Sequence, residues 1–327
     1  KNIVVVGSHG KTTTTSLVSS IFEKTKLDPT IINGGIINSI KSTAKLGKSD
    51  WSILEADESD GSFVHISPTY SILTNIDREH MDFYKSMKDI KKYFLKFIEK
   101  VPSFGKSFIC IDDKINNDLI KEIKNKNFYT YGIKSNSNFQ IKNIIQEERY
   151  SKFNLVVSLP NKKKVILKNF KIPLLGIHNI RNSTAAIAVA FIVGISTSNI
   201  KKGLINFKGV QRRFNKIFSY NEIDFFDDYA HHPTEIKSVL EGVKAVYTKH
   251  EKVCIFQPHR ISRLKDLRKE FSYSFKNADI VILCPIYTAG EKIKLGFNYN
   301  DFAKEIIKNS KVKLFMVNNN FQLAKFI

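Results

Sequence analysis

Gly7-Ser8-His9-Gly10-Lys11-Thr12-Thr13-Thr14 follows directly on the apolar run Val4-Val5-Val6. A buried strand, a glycine-bearing turn and a helix start form an anion cradle. Main-chain N–H groups converge there, and the helix N-terminus favours negative charge. Gly7 and Gly10 let the backbone approach phosphate oxygens, with Ser8, His9 and Thr13 completing the loop. Lys11 supplies a mobile cation, and the Thr12 hydroxyl suits Mg²⁺. The spacing departs from the usual G-x-x-x-x-G-K-[ST] pattern, because Val5 stands where its first glycine would be. A Gly-Lys-Thr also occurs in merely structural turns, but its place between a strand and a helix favours nucleotide phosphate binding.

A second chemical signal is Glu55-Ala56-Asp57-Glu58-Ser59-Asp60, at the C-terminal end of an expected strand over 51–54. Ligands of open parallel sheets bind at that edge, and Mg²⁺ wants carboxylate and phosphate oxygens. The alternative is a solvated acidic turn. Glu55, continuing an apolar strand, favours the metal. After the next expected strand comes Asn75-Ile76-Asp77-Arg78-Glu79-His80-Met81-Asp82. His80 is a candidate to ligate a second metal or bind phosphate; a lone histidine would more often be structural.

These loops need rigid elements beneath them, and the apolar pattern supplies them. Strands are expected over 2–6, 51–55, 70–75, 107–111 and 128–131, with helices over 11–24, 87–99 and 114–124. Such alternation predicts a parallel sheet covered on both faces. Polar-interrupted strands at 139–144, 153–158 and 164–167 predict a small antiparallel insert or flank. A helix carrying the small-residue run 185–190 follows Pro173-Leu174-Leu175-Gly176. A second alternating series has strands at 214–219, 223–227, 253–256, 280–284 and 312–317 and helices at 233–247, 263–275 and 299–307. The expected fold is α/β: a P-loop-type, mostly parallel sheet flanked by helices over 1–208, then a smaller Rossmann-like α/β domain over 209–327.

Apolar content of 42% and charged content of 25% fit a soluble globular chain. No apolar run approaches the ~18–20 residues of a membrane span, so no membrane insertion is expected. Cys110, Cys254 and Cys284 sit in apolar strand-like runs without metal-ligand spacing, as core thiols of a reducing, cytoplasmic compartment. The net charge of +21 raises a nucleic-acid partner. Its lysines are spread along the whole chain with heavy use of Ile and Asn, as at Asn161-Lys162-Lys163-Lys164. A compositional lean plus anionic nucleotide substrates accounts for that pattern, and no nucleic acid is expected as partner. The chain opens without Met and is expected to be an excerpt of a longer protein.

The ordered segments 7–14, 55–63 (EADESDGSF), 75–84, 176–182 (GIHNIRN), Arg212-Arg213-Phe214, 227–235 (DDYAHHPTE), 256–263 (FQPHRISR) and 287–291 (YTAGE) resemble the Mur ligases over nearly the whole chain. The resemblance implies an ATP- and Mg²⁺-dependent carboxylate–amine ligase of peptidoglycan synthesis, with the central ATPase domain and a C-terminal amino-acid-binding domain present. The family's N-terminal UDP-binding domain would precede this chain. Within the family the motif forms are most similar to members that join L-alanine to UDP-N-acetylmuramate through an acyl phosphate. It further implies that Lys11 and the loop amides bind β- and γ-phosphates, that Thr12 and Glu55 hold the first Mg²⁺, and that His80 serves a second. His178, Asn179 and Asn182 would line the adenine pocket, and Asp228 and Tyr229 would reach the nucleotide. His231, Arg260 and Arg263 would face phosphate and the alanine carboxylate, weak signals without the resemblance. Arg213 is a candidate phosphate contact or a surface residue. The carbamylated lysine of several relatives falls at Leu95, beside Lys96, and is not assigned, which leaves the second metal's ligands open. Two rivals are a relative adding a preformed peptide or polyglutamate and, from another class, a P-loop ATPase acting on nucleic acid.

Overall fold

A computed structural model describes residues 1–291 and 297–325. The chain divides into two compact units, Lys1–Phe225 and Phe226–Ile327. The boundary expected after residue 208 falls inside the first, and the last two residues of the expected second domain lie outside the described residues.

The first unit runs β1 (Asn2–Val6), α1 (Lys11–Phe22), β2 (Thr30–Ile37), β3 (Ser42–Lys45), β4 (Ser52–Glu55), a 3₁₀ turn at Ser62–His65 and β5 (Tyr70–Leu73). It continues α2 (Met87–Ile98), β6 (Lys106–Cys110), α3 (Lys114–Leu119), β7 (Phe128–Gly132), β8 (Phe139–Glu147), β9 (Tyr150–Val157), β10 (Val165–Ile172), α4 (Ile177–Val193) and α5 (Thr197–Ile205). All ten strands share one sheet, ordered β10-β9-β8-β7-β6-β5-β1-β4-β2-β3. From β2 to β8 the neighbours are parallel; β8-β9, β9-β10 and β2-β3 are antiparallel. The flank expected over 139–167 therefore continues the main sheet, in strands longer than the polar interruptions suggested.

Period-two alternation decides which side chain serves which layer. Ile3 and Val5 of β1 join Leu17, Val18 and Ile21 of α1 and the small-residue run of α4. Val4 and Val6 point the other way, to Phe94 and Phe97 of α2 and to Phe63. Each such buried side chain contributes roughly 1.5–3 kcal/mol by leaving water. The alanines of α4 allow it close against α1, because small side chains shorten the interhelical distance. Ser86 caps α2 by accepting from the Asp89 N–H at 3.2 Å. Central strands that bury both faces fix the carboxyl edge where β1, β4 and β5 end side by side.

A hairpin, β11 (Asn215–Tyr220) and β12 (Ile223–Asp227), leads into the second unit. That unit holds α6 (Pro233–Val246), β13 (Val253–Phe256), α7 (Ile261–Asp266), α8 (Arg268–Tyr273), β14 (Ile280–Leu283), α9 (Tyr299–Ser310), β15 (Lys313–Met316) and α10 (Asn320–Ala324). Its strands form a parallel sheet ordered β13-β14-β15. The single helix expected over 263–275 is broken at Leu267. Its apolar stripe still runs through Leu264, Leu267, Phe271 and Phe275 into one core with Val281, Leu283 and Phe302.

Cys110 and Cys284 are buried, Cys254 is half-buried, and all three are unpaired thiols. Burial pushes Cys110 and Cys254 up to about 12, which keeps both as unreactive thiols. Among the described residues no helix is long and apolar enough to cross a membrane.

Candidate nucleotide and metal site

The phosphate loop sits between β1 and α1. Gly7 has φ 131° and Gly10 φ 83°, backbone that side-chain-bearing residues rarely adopt. A Cβ on Gly7 would lie 2.1 Å from Thr74 Oγ1, and one on Gly10 would lie 2.8 Å from Asn182 Oδ1. Both glycines therefore answer to close approach as well as to φ. The loop is tied down from β5: Ser8 N–H donates to the Asn75 carbonyl at 3.0 Å and His9 N–H to Asn75 Oδ1 at 2.9 Å. Thr74 Oγ1 donates to the His9 carbonyl at 2.8 Å, and Asp77 N–H to Ser8 Oγ at 2.8 Å.

These bonds divide the loop's work. The Ser8 and His9 amides point into the protein, where the sequence had put them on phosphate. The first helical bond of α1 runs from Thr14 N–H to the Gly10 carbonyl, 3.0 Å, so the amides of Lys11, Thr12 and Thr13 precede the ladder. They are the donors a helix N-terminus offers an anion. Asn75, which the sequence gave no individual role, is the buttress; an asparagine ending a buried strand was its only signal.

Lys11 lies at the mouth of this cradle. Its ammonium donates to the Gly7 carbonyl at 2.7 Å and the Ser8 carbonyl at 3.2 Å, and pairs with Glu58 Oε2 at 2.6 Å. Burial works to lower the Lys11 pKa, but Glu58, then Glu55 and Glu79, outweigh it and hold the ammonium charged, above the usual lysine value. Burial pushes the Glu58 carboxyl up, against the pull of Lys11.

Glu55 ends β4, next to β1. Its Oε1 accepts from Thr12 Oγ1 at 2.9 Å and its Oε2 from Gly34 N–H at 2.6 Å. A Cβ on Gly34 would meet Glu55 at 2.7 Å, so the glycine pair inside β2 leaves room for this carboxylate. The sequence reading missed β2 and β3, because Asn33-Gly34-Gly35 interrupts the apolar run; that same interruption marks a close approach. A hydroxyl and a carboxylate, both hard oxygen donors, beside a triphosphate cradle are a fitting set for Mg²⁺. Asp57, Glu58 and His80 form a second group, with one ligand atom of each within 4.8 Å of the others. His80 adopts φ 54°, and its Nε2 is 3.6 Å from Glu58 Oε1.

The structure brings Asn182 against the loop through Gly10 and links it to Asn179, whose Oδ1 accepts from Asn182 Nδ2 at 3.3 Å. Asn179 in turn donates to the Leu175 carbonyl at 2.8 Å, so part of its amide is spent on the start of α4. His178 is half-exposed in the first turn of α4. Arg213 is half-exposed in a turn, its N–H 3.3 Å from the Val210 carbonyl.

In the second unit Tyr229, His231 and His259 gather around the mouth of the sheet, with ring centroids 4.9 Å (Tyr229–His231) and 6.0 Å (His231–His259) apart. His231 Nδ1 is 2.8 Å from the Tyr229 carbonyl, and the His231 N–H donates to Glu235 at 3.1 Å. Burial lowers His231 to about 4; Glu235 opposes the shift, while Arg263 and His259 add to it. Arg263 is thus near His231. Asp228 Oδ1 accepts from Ala230 N–H at 2.7 Å, an Asx turn that fixes the approach to His231. Arg260 is exposed at φ 64°, its N–H donating to the Tyr287 carbonyl at 2.8 Å.

Residues 5–190 match the family profile of the Mur ligase middle domain, and residues 212–323 that of the Mur ligase, glutamate ligase domain. The chain is 73% identical over 327 residues to the UDP-N-acetylmuramate–L-alanine ligase of Pelagibacter ubique, spanning 100% of this chain and 70% of that protein. It is 41% identical over 305 residues to the enzyme of the same name from Bartonella henselae, spanning 93% of this chain and 64% of the relative. The crystal structure of the UDP-N-acetylmuramate-alanine ligase of Thermotoga maritima aligns at TM-score 0.79 and 26% identity, over 100% of this chain and 69% of that one. A murein peptide ligase of Psychrobacter arcticus shares the fold, at TM-score 0.69 and 23% identity.

Proposed function

The chain belongs to the Mur ligase family, and we propose that it carries the ATP-handling and amino-acid-handling parts of a ligase joining L-alanine to UDP-N-acetylmuramate. The observation that carries the reading is the pairing of Thr12 with Glu55 beside the Lys11 cradle, at the common edge of β1 and β4. The amides of residues 11–13 and the Lys11 ammonium bind the β- and γ-phosphates and orient them. Thr12 and Glu55 hold Mg²⁺, which when bound neutralises developing charge on the phosphates. His80, with Asp57 and Glu58, offers donors for a second cation.

Phosphoryl transfer asks mainly for positioning and charge neutralisation. Passing the γ-phosphoryl to the substrate carboxylate gives an acyl phosphate, which the alanine amine attacks with loss of phosphate. In the second unit Arg260 and Arg263 suit a carboxylate through their planar donor forks. His231, held neutral by burial, offers a ring nitrogen to the incoming amine's proton. Asn179 and Asn182 border the loop where an adenine would sit, with His178 in the first turn of α4, and Arg213 is a further candidate phosphate contact of this unit. ATP and UDP-N-acetylmuramate are both anionic metabolites of the cytoplasm, where the enzyme would act.

Radiolabelled alanine incorporation into UDP-N-acetylmuramate by full-length protein tests the reading. Product that requires ATP and is lost in Lys11→Ala supports it. ADP release that depends on a tripeptide and ignores alanine would replace it with the peptide-adding activity.

A further inference from the structure

Glu58 stands apart from the other acids of its loop. Its residue exposure is 2%, whereas Asp57 and Asp60 on the same segment are exposed. The backbone is pinned, because the Tyr84 hydroxyl donates to the Glu58 carbonyl. Tyr84 is itself packed between Phe83 and Tyr93. The side chain thus has one fixed direction, onto Lys11 at 2.6 Å and towards His80 Nε2 at 3.6 Å. The two loop carbonyls and Glu58 together occupy all three donors of the Lys11 ammonium. A lysine that must grip a triphosphate is fully engaged before any triphosphate arrives.

We infer that Glu58 is a positioning residue, the resting counter-ion that holds Lys11 aimed across the phosphate loop and releases it when a metal-bearing triphosphate enters. The inference rests on the nucleotide reading of the loop. A buried carboxylate cannot be left without a cation, because an unpaired charge out of water is strongly unfavourable. When Lys11 turns to the phosphates, Glu58 needs a replacement, and the divalent ion travelling with the nucleotide supplies it next to His80 and Asp57. A bare nucleotide brings only negative charge towards Glu58 and must take Lys11 away from it. Glu58 therefore discriminates against metal-free nucleotide and couples lysine release to metal arrival.

Calorimetric titration of the full chain with AMP-PNP, in Mg²⁺ and in EDTA, measures this coupling. Glu58→Gln is expected to bind the metal-free analogue about tenfold more tightly than wild type and, having lost its charge for the incoming ion, to bind the metal-bound analogue no more tightly than wild type. The ratio between the two conditions shrinks accordingly. Glu58→Asp keeps the charge on a shorter arm and is expected to fall between wild type and Glu58→Gln. A folded Glu58→Gln protein with an unchanged ratio, or with weaker metal-free binding, overturns the inference. Should circular dichroism show Glu58→Gln unfolded, Glu58→Asp decides, and a wild-type ratio there overturns it. Wild type binding neither form removes the nucleotide reading itself, an outcome distinct from the others because no variant enters it.

Discussion

Lys11 is held by two carbonyls and one carboxylate, and each is a group that a phosphate oxygen can displace. Lys11→Ala removes the mobile cation of the cradle and leaves Glu58 buried without its ammonium partner. Affinity for an ATP analogue should fall by about a hundredfold, with a folded protein verified by circular dichroism; a variant binding within threefold of wild type would contradict the assignment. Glu55 predicts a different signature. Glu55→Gln keeps an oxygen for Thr12 but removes the carboxylate's negative charge, so the Mg²⁺ concentration needed for half-maximal analogue binding should rise about tenfold, with binding at saturating Mg²⁺ largely kept. His231 gives a pH effect. Its folded value near 4 lies below the ordinary 6.5, so the unfolded chain takes up the proton first as pH falls. Stability contributed by the neutral ring is present above pH 6.5 and is lost as pH drops from 6.5 towards 4, on the order of 2–3 kcal/mol. His231→Gln should flatten the dependence of Tm on pH in that window, and an unchanged slope would place the titration elsewhere.

Elements decide where these residues meet, and here the reading of the sequence divides by physical cause. Strands β1, β4 and β5 and helix α1 were legible because buried central strands are continuous apolar runs and the glycine loop punctuates them. The placement of Glu55 at the end of β4 followed from the same pattern. Helix α5 and strands β2 and β3 were not legible: Gly34 and Gly35 break the strand pattern, and β3 is half-exposed with no apolar face to read. Glu58 was seen as one acid among four; its burial depends on Tyr84 and α2, partners distant in sequence that no local spacing reveals. The Ser8 and His9 amides were assigned to phosphate because the contribution of Asn75 is a tertiary contact. Gly7 tests the element-level account. Gly7→Ala places a methyl 2.1 Å from Thr74 Oγ1 at φ 131°, so β1 and β5 must separate or the loop must refold. A loss of roughly 2–4 kcal/mol in urea unfolding is expected, together with loss of analogue binding. A variant with wild-type stability would show that the loop relaxes at no cost.

The molecule as a whole carries a net charge of +21, and its distribution separates an enzyme of anionic metabolites from a nucleic-acid motor. Six acids, Glu55, Asp57, Glu58, Asp60, Asp77 and Glu79, lie at the end of β4 and on the two loops after β4 and β5, while lysines recur along the chain from Lys1 to Lys325. The positive field is therefore diffuse, and the phosphate loop itself sits within a local excess of carboxylates. On the proposed reading a triphosphate would reach such a site with its charge partly cancelled by metal, whereas a polyanion would gain only dispersed surface contacts. Contacts of that kind are counter-ion release and collapse with salt; a protein neutralising six to ten phosphates loses about 10³–10⁵ in affinity between 50 and 200 mM salt. Any retention of DNA or RNA by the chain at 50 mM salt is accordingly expected to vanish by 200 mM, while affinity for Mg²⁺–AMP-PNP changes less than about fivefold, since its grip comes from buried amides and Lys11 that salt screens weakly. Filter binding and calorimetry across that range check both halves. ATP hydrolysis stimulated by nucleic acid and surviving at 200 mM salt would show a dedicated track, and the diffuse-charge account would fall.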